Sequence, residues 1–392
     1  MEFTRSVPLI PASPQSLADV LQRVADPRRA ASVVYPLAAV LALTVAALAA
    51  GQTSVLAIAR WAARQEAAHL EALGFPAGRV PCQSTLHRLF RDLDVWALAH
   101  QVQHAFAAVT APASPILQGI AIDGKGHRGR LRRSGHAYAV HAVSAVCHDS
   151  GLVVAHEPIQ DDPAARDTEL PAARRLLARL DWTGRVLTGD RLYGQQWVCE
   201  AVCAAGGDYL LLVGGNQGRR QQALIERLTC ATVVADVRTA STEEDGHGRQ
   251  HERRDLSVTA DVAGLGDAWP GVRQVFRLTR AWVERGLPHT SVRYGITSLS
   301  PDQASPQDLL RLRRGHWTIE NRVHRHKDGL LREDASQVYR GAGPAVLAVL
   351  RDAALNLLVL AGRHTHLAHT QHLAQFPHQA LAMLTQPLTT RA

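Results

Sequence analysis

Two aspartates end short apolar runs that read as buried strands: Asp123 closes "GIAID" and Asp190 closes "RVLTGD". If the strands lie parallel and adjacent, both carboxylates face the crevice beyond the strand ends, where open α/β sheets gather ligands. Two carboxylates held that close repel, and one keeps a proton unless a cation lies between them. Mg2+ suits such a pair, because it takes hard oxygen ligands and keeps waters for substrate phosphates. A third carboxylate would complete a two-metal phosphoryl-transfer site. Aspartates at strand ends also serve turns and helix caps, so the pair alone does not decide.

The third carboxylate is Glu320, the one glutamate in "HWTIENRVHRHKDG" (316–329). On a helix, about 100° per residue brings positions seven apart to within about 20° of each other. Arg313, Glu320 and Lys327 then form one stripe, with His316 and His324 flanking the glutamate at four residues on either side. A carboxylate among that many bases can hold metal while the bases hold a phosphate backbone. An ordinary surface pairing four residues apart explains one base, but not the excess.

The elements that must position these groups follow from periodicity. Residues 1–110 are mostly helical in pattern. The apolar run Leu37–Ala50 is shorter than the roughly 20 residues a spanning helix needs and reads as a buried helix. "PCQSTLHRLFRDLD" places Ser84 as an N-cap ahead of a basic amphipathic helix, either a DNA-reading helix or a packing helix. After the break "APASP" come strands at 116–123, 136–148 and 151–160, a helix at 169–180, a strand at 185–190, a helix at 195–206 and a strand at 208–215. That order implies a meander followed by βα units, hence a mixed sheet with helices on its faces. Residues 216–300 read as a β-rich insertion, helices resume over 301–362, and the His-rich residues 363–392 read as a polar, partly ordered tail.

The 392 residues carry a net charge of +8 and a pI near 9.7. Arginine outnumbers lysine, which suits a polyanion partner because its fork grips phosphate. Five scattered cysteines suggest core thiols rather than a disulfide framework. No signal-like segment opens the sequence, so the expectation is a cytoplasmic protein with no membrane partner.

The combination of "DPRR…YPLAAVLALTVAALAAGQTS…IARW", "IAIDGKGHRG", "GDYLLLVGGNQ", "GHGRQHERR", "YGITSLSP" and "RGHWTIENRVHRHKDGLLREDAS" resembles the DDE-type insertion-sequence transposases of the H-repeat-associated group. The resemblance covers roughly 25–362. It implies an RNase H-like catalytic domain over 111–215 and 301–362, a helical DNA-binding domain over 1–110, and a β insertion at 216–300. It implies Asp123, Asp190 and Glu320 as catalytic metal ligands for two Mg2+ ions, with Mn2+ able to stand in. "DRLY" matches an Asp-x-x-Tyr form that puts Tyr193 near DNA. Lys327 fits the lysine that related enzymes keep seven residues after the glutamate. The same pattern has tyrosine and arginine where this chain has Arg313 and His316, so the match is partial there; both are carried as DNA-binding candidates. Lys125, Arg128, Arg132 and Arg133 follow Asp123 and are expected at phosphates. The implied activity is cleavage at terminal inverted repeats and strand transfer into target double-stranded DNA, by a homodimer acting at the bacterial nucleoid. A nuclease without strand transfer and an inactive DNA-binding regulator are the alternatives.

Overall fold

The computed structural model describes residues 15–110, 117–126, 140–160, 167–229, 236–246, 249–362 and 366–389. Six helices open it: α1 Leu17–Leu21, α2 Leu37–Ala49, α3 Val55–Ala62, α4 Ala67–Ala72, α5 Gln83–Asp92 and α6 Val95–Ala107. The apolar run expected to be a buried helix is α2, whose residues are buried almost without exception. A helix apolar all round has to be enclosed on every side. Ser84 does not cap α5: the helix begins one residue earlier, behind Cys82, and no side chain caps it.

Among the described residues, nine strands form one sheet in the order β3-β2-β1-β4-β5-β9-β8-β7-β6. The first five are β1 Gln118–Gly126, β2 Val140–Cys147, β3 Val153–Pro158, β4 Arg185–Gly189 and β5 Asp208–Val213. β1, β2 and β3 form the antiparallel meander, while β4 and β5 join β1 in parallel. Helices α7 Glu169–Arg179 and α8 Gln196–Ala204 make the crossovers and cover one face, with α9 Gly218–Thr229 following β5. This is the expected RNase H-like mixed sheet flanked by helices, preceded by a helical region.

The β-rich residues do not build a sheet of their own. β6 Arg238–Gly246, β7 Arg249–Thr259, β8 Gln274–Glu284 and β9 Leu287–Thr297 continue the same sheet, with β9 antiparallel to β5. Long strands pairing in simple hairpins bury the edge that β5 would otherwise expose. Helix α9 lies within this stretch and had no counterpart in the strand-dominated reading of it.

The C-terminal third supplies α10 Pro306–Gly315, a π-helical turn Ile319–His324, α11 Arg325–Gly329, α12 Gly343–Leu360, α13 His366–Gln375 and α14 Pro377–Thr385. α12 is long and apolar enough to cross a membrane, but 78 % of its apolar window is buried inside the protein. Its Asn356 accepts from the Val153 amide and donates to the Val153 carbonyl, both at 2.8 Å, satisfying the backbone of edge strand β3. The residues expected as a polar tail are instead α13 and α14. Leu373, Leu381 and Leu384 share one apolar core with α1, α2, α6 and α12. The N-terminal helices therefore cannot be removed without opening the core that the C-terminal helices complete.

Candidate metal centre

The parallel ladder of β1 and β4 runs from Gln118 opposite Arg185 to Ala121 opposite Thr188. Two residues further along each chain come Asp123 and Asp190, so the register brings them level at the same edge. Asp123 sits within β1, and its Oδ1 accepts from the Gly124 amide at 3.0 Å. Asp190 follows β4 directly and shapes the next turn, its Oδ1 accepting from the Leu192 amide at 2.7 Å.

Helix α10 brings the glutamate to this edge. Its start is fixed by a capping box between Ser305 and Asp308. Arg314 pairs with Glu244, docking the helix on β6. Beyond Gly315 the chain passes through the π-helical turn, in which hydrogen bonds span five residues rather than four. That turn carries Glu320 and His324. The His324 Nδ1 lies 3.1 Å from Glu320 Oε2 and 3.9 Å from Asp123 Oδ2. One ligand atom from each of Asp123, Glu320 and His324 falls within 4.8 Å of the others, a spacing one metal ion can span. Asp190 is outside this tight trio but close enough for its charge to act on Asp123.

The electrostatics fit a cation. Burial, and then the charges of Glu169 and Asp190, push Asp123 up to about 6, against the pull of His324. The hydrogen bond from His324, aided by its charge and that of Lys125, holds Glu320 below the usual glutamate range. Lys125 Nζ donates to Asp328 Oδ2 at 2.7 Å, tying β1 to α11 across the site.

Behind the carboxylates lies a row of buried polar groups. Thr188 Oγ1 hydrogen-bonds with His148 Nε2 at 2.9 Å and with His316 Nδ1 at 3.3 Å. Arg313 donates to the carbonyl of Gly189, the residue before Asp190, at 3.3 Å. Burial pushes His148 down to about 3 and His316 well below the usual histidine value, so both stand neutral. These groups fasten α10 to the end of β4.

Lys327 has a similar structural setting. It is 1 % exposed, with its ammonium 2.9 Å from Asp352 and 3.5 Å from Glu333. Arg351 stands 3.8 Å from Glu333, and His156 Nδ1 2.6 Å from Asp352. Burial opposes the charge of Lys327, but Asp352 and Glu333 outweigh it and raise its pKa. This cluster anchors α11 to α12 and to β3.

The site residues expected from sequence thus divide. Asp123 and Glu320 come together, with Asp190 beside them and Lys125 at the rim. Tyr193, Arg313, His316 and Lys327, expected at DNA, lie inside the protein: all are buried, and their polar atoms face protein groups. The seven-residue stripe fails because the π-helical turn breaks the 100° rotation between Arg313 and Lys327. Arg128, Arg132 and Arg133 lie outside the described residues. Two groups at the site were not named as ligands or supports. His324 was visible four residues after Glu320, though only as one base among several. Glu169 carried no signal beyond opening a helix.

Residues 115–357 match the Transposase DDE domain family, and residues 18–106 match the DDE_Tnp_1-associated family. The chain is similar to "Putative transposase YncI" of Escherichia coli O157:H7, 28 % identical over 360 residues that cover 88 % of this chain and 87 % of that protein. It is also similar to "H repeat-associated putative transposase YhhI" of Escherichia coli K12, 29 % identical over 61 % of this chain and 63 % of that protein. "H repeat-associated putative transposase YbfD" of the same strain is 33 % identical over a shorter span, 36 % of this chain and 54 % of its own length.

Proposed function

Because this chain belongs to the DDE transposase family, we propose that it cuts DNA at the ends of a mobile element and joins the freed 3′-hydroxyl to target DNA. The observation that carries this reading is the convergence of Asp123 and Glu320, remote in sequence, on one point beside Asp190. Carboxylate oxygens are the donors that Mg2+ and Mn2+ prefer, and the imidazole of His324 is a donor that Mn2+ accepts more readily than Mg2+. Asp123, Asp190 and Glu320 would hold the divalent cations, two in our reading. Bound there, the cations supply activation of the attacking oxygen and neutralisation of the leaving one. The protein's own groups do the rest. Asp123, ionised above about pH 6, offers its carboxylate, His324 keeps Glu320 ionised and oriented, and Arg313 and Thr188 hold the β4 end at fixed height. The net charge of +8 attracts the phosphate backbone. Two ends must be cut together, so two copies form the simplest assembly, acting at chromosomal DNA.

The test is a cleavage and joining assay on DNA carrying the element's own inverted repeats, with Mg2+ or Mn2+. Repeat-dependent joined products support the reading. Cutting without joining or repeat dependence indicates a nuclease, and binding without cutting indicates a regulator.

The pH dependence follows from Asp123. Cation binding needs its ionised form, so cleavage and Mn2+ affinity climb as pH passes about 6. Stability of the metal-free protein moves the other way. An unfolded aspartate ionises near ~3.9, so between that value and about 6 the folded state holds the extra proton. Stability conferred by that proton falls as pH rises through this window. Denaturation at low and neutral pH checks it: the loss should shrink in Asp123→Asn.

We place end recognition on the N-terminal helices, with Ser84 and Arg88 on the exposed side of α5. Since truncation would open the shared core, point substitution is the cleaner probe. Arg88→Ala should weaken DNA binding and lower the salt slope by about one unit, without changing the melting temperature. An unchanged slope by fluorescence anisotropy moves recognition elsewhere.

A further inference from the structure

Asp123 and Asp190 share a feature beyond their charge: each has a glycine beside it, and each glycine has its missing side chain replaced by a neighbour. A Cβ on Gly124 would lie 2.5 Å from the carboxyl carbon of Glu169. A Cβ on Gly189 would lie 2.9 Å from the Cβ of Tyr193 and 3.1 Å from its ring. Neighbouring residues of a strand point to opposite faces. Gly124 continues the row of Ile122 and Gly189 the row of Leu187, so both contacts lie on the face packed under α7 and α8, opposite the Asp123 side chain.

Glu169 and Tyr193 also meet each other. The Tyr193 hydroxyl donates to Glu169 Oε1 at 2.7 Å, and the Glu169 carboxyl packs against Gly124, whose amide serves Asp123. Tyr193 is fully buried, and its amide donates to the Asp190 carbonyl at 3.2 Å. A continuous path therefore runs from Asp123 through Gly124, Glu169 and Tyr193 to Asp190. It lies where the ladder between β1 and β4 has ended, since the last paired residues are Ala121 and Thr188. Without another tie, like charges on Asp123 and Asp190 would spread the strand ends. A hydroxyl donating to a carboxylate is among the stronger hydrogen bonds and suits a tie of fixed length.

We propose that Glu169 and Tyr193 are positioning residues: a buried brace on the far face of the sheet that sets the spacing of Asp123 and Asp190 and so sets metal affinity. The proposal rests on the reading of those aspartates as ligands. Neither brace residue needs to touch the cation. It also explains why glycine occupies positions 124 and 189, since any side chain there would displace the brace.

The experiment is direct titration of Mn2+ into the full-length protein, with free ion measured by electron paramagnetic resonance, for wild type and four variants. Outer groups that orient metal ligands commonly change affinity by about 10–100-fold. Tyr193→Phe and Glu169→Ala should weaken Mn2+ binding by that range, while each retains a cooperative melt. Glu169→Gln, which keeps an acceptor oxygen for the hydroxyl, should lose clearly less. The proposal is overturned if Tyr193→Phe binds Mn2+ as the wild type does. It is also overturned if Glu169→Gln loses as much as Glu169→Ala, because Glu169 would then act through its charge as a ligand. Asp123→Asn separates the two readings: if it binds Mn2+ normally, the metal centre itself is misplaced. If it loses binding while the brace variants do not, only the brace fails.

Discussion

Replacing Asp123 by asparagine, or Glu320 by glutamine, should remove the proposed DNA cleavage while leaving a folded protein that still binds DNA. Metal coordination at such a site stabilises developing charge by several kcal/mol, and each ~1.4 kcal/mol is a factor of ten in rate. The expected loss is therefore about a thousandfold or more. The side effects should differ between the two. Asp123 is ionised at neutral pH against burial and the nearby charges of Glu169 and Asp190. Its neutral replacement should make the metal-free protein more stable. Glu320 is half exposed, with its charge already favoured by His324. Its replacement should leave stability close to wild type. Cleavage assays beside denaturation curves separate these outcomes, and a variant that keeps wild-type cleavage is not a ligand.

Lys327→Met should act on stability instead. The substitution leaves Asp352 and Glu333 buried, with Arg351 and His156 as their remaining ionic neighbours. Removing one member of a buried ion cluster typically costs about 3–5 kcal/mol, because the partner charge loses its compensation. Urea denaturation should show a loss of that size. Activity should fall at temperatures where α11 loosens and recover on cooling. A lysine that contacted DNA would behave differently, weakening DNA binding at unchanged stability. Lys327→Met with Glu333→Gln should recover part of the loss, since the two sites share one network.

That Asp123 and Glu320 meet beside Asp190 was legible in the sequence, because their placement depends on rules that sequence carries. Apolar runs end at Asp123 and Asp190, parallel strands gather ligands at one edge, and Glu320 stands alone among bases. The meander, the βα crossovers and hence a mixed sheet followed from the succession of elements; that the later strands extend that same sheet did not. What stayed hidden depends on groups that meet only in three dimensions. The π-helical turn is one inserted residue in a hydrogen-bond register, and no residue type around Ile319 announces it. Yet it breaks the stripe and accompanies the turn of Lys327 into the core. Glu169 reads as the first residue of an ordinary helix until Tyr193 arrives from the other crossover. The C-terminal histidines masked an apolar stripe: Leu373, Ala380, Leu381 and Leu384 are enough to fold α13 and α14 onto α1, α2 and α12. Polar composition described their exposed side and said nothing of the buried one.

We propose that three carboxylates from separate elements hold one catalytic centre. Anomalous scattering from crystals of the full-length protein soaked in Mn2+ addresses it most directly. A Mn peak is expected at the sheet edge between Asp123 and Glu320, with Asp190 as a further ligand. A peak on Glu320 and His324 that leaves both aspartates free, or no peak at this edge while the crystals bind Mn2+ elsewhere, would contradict it.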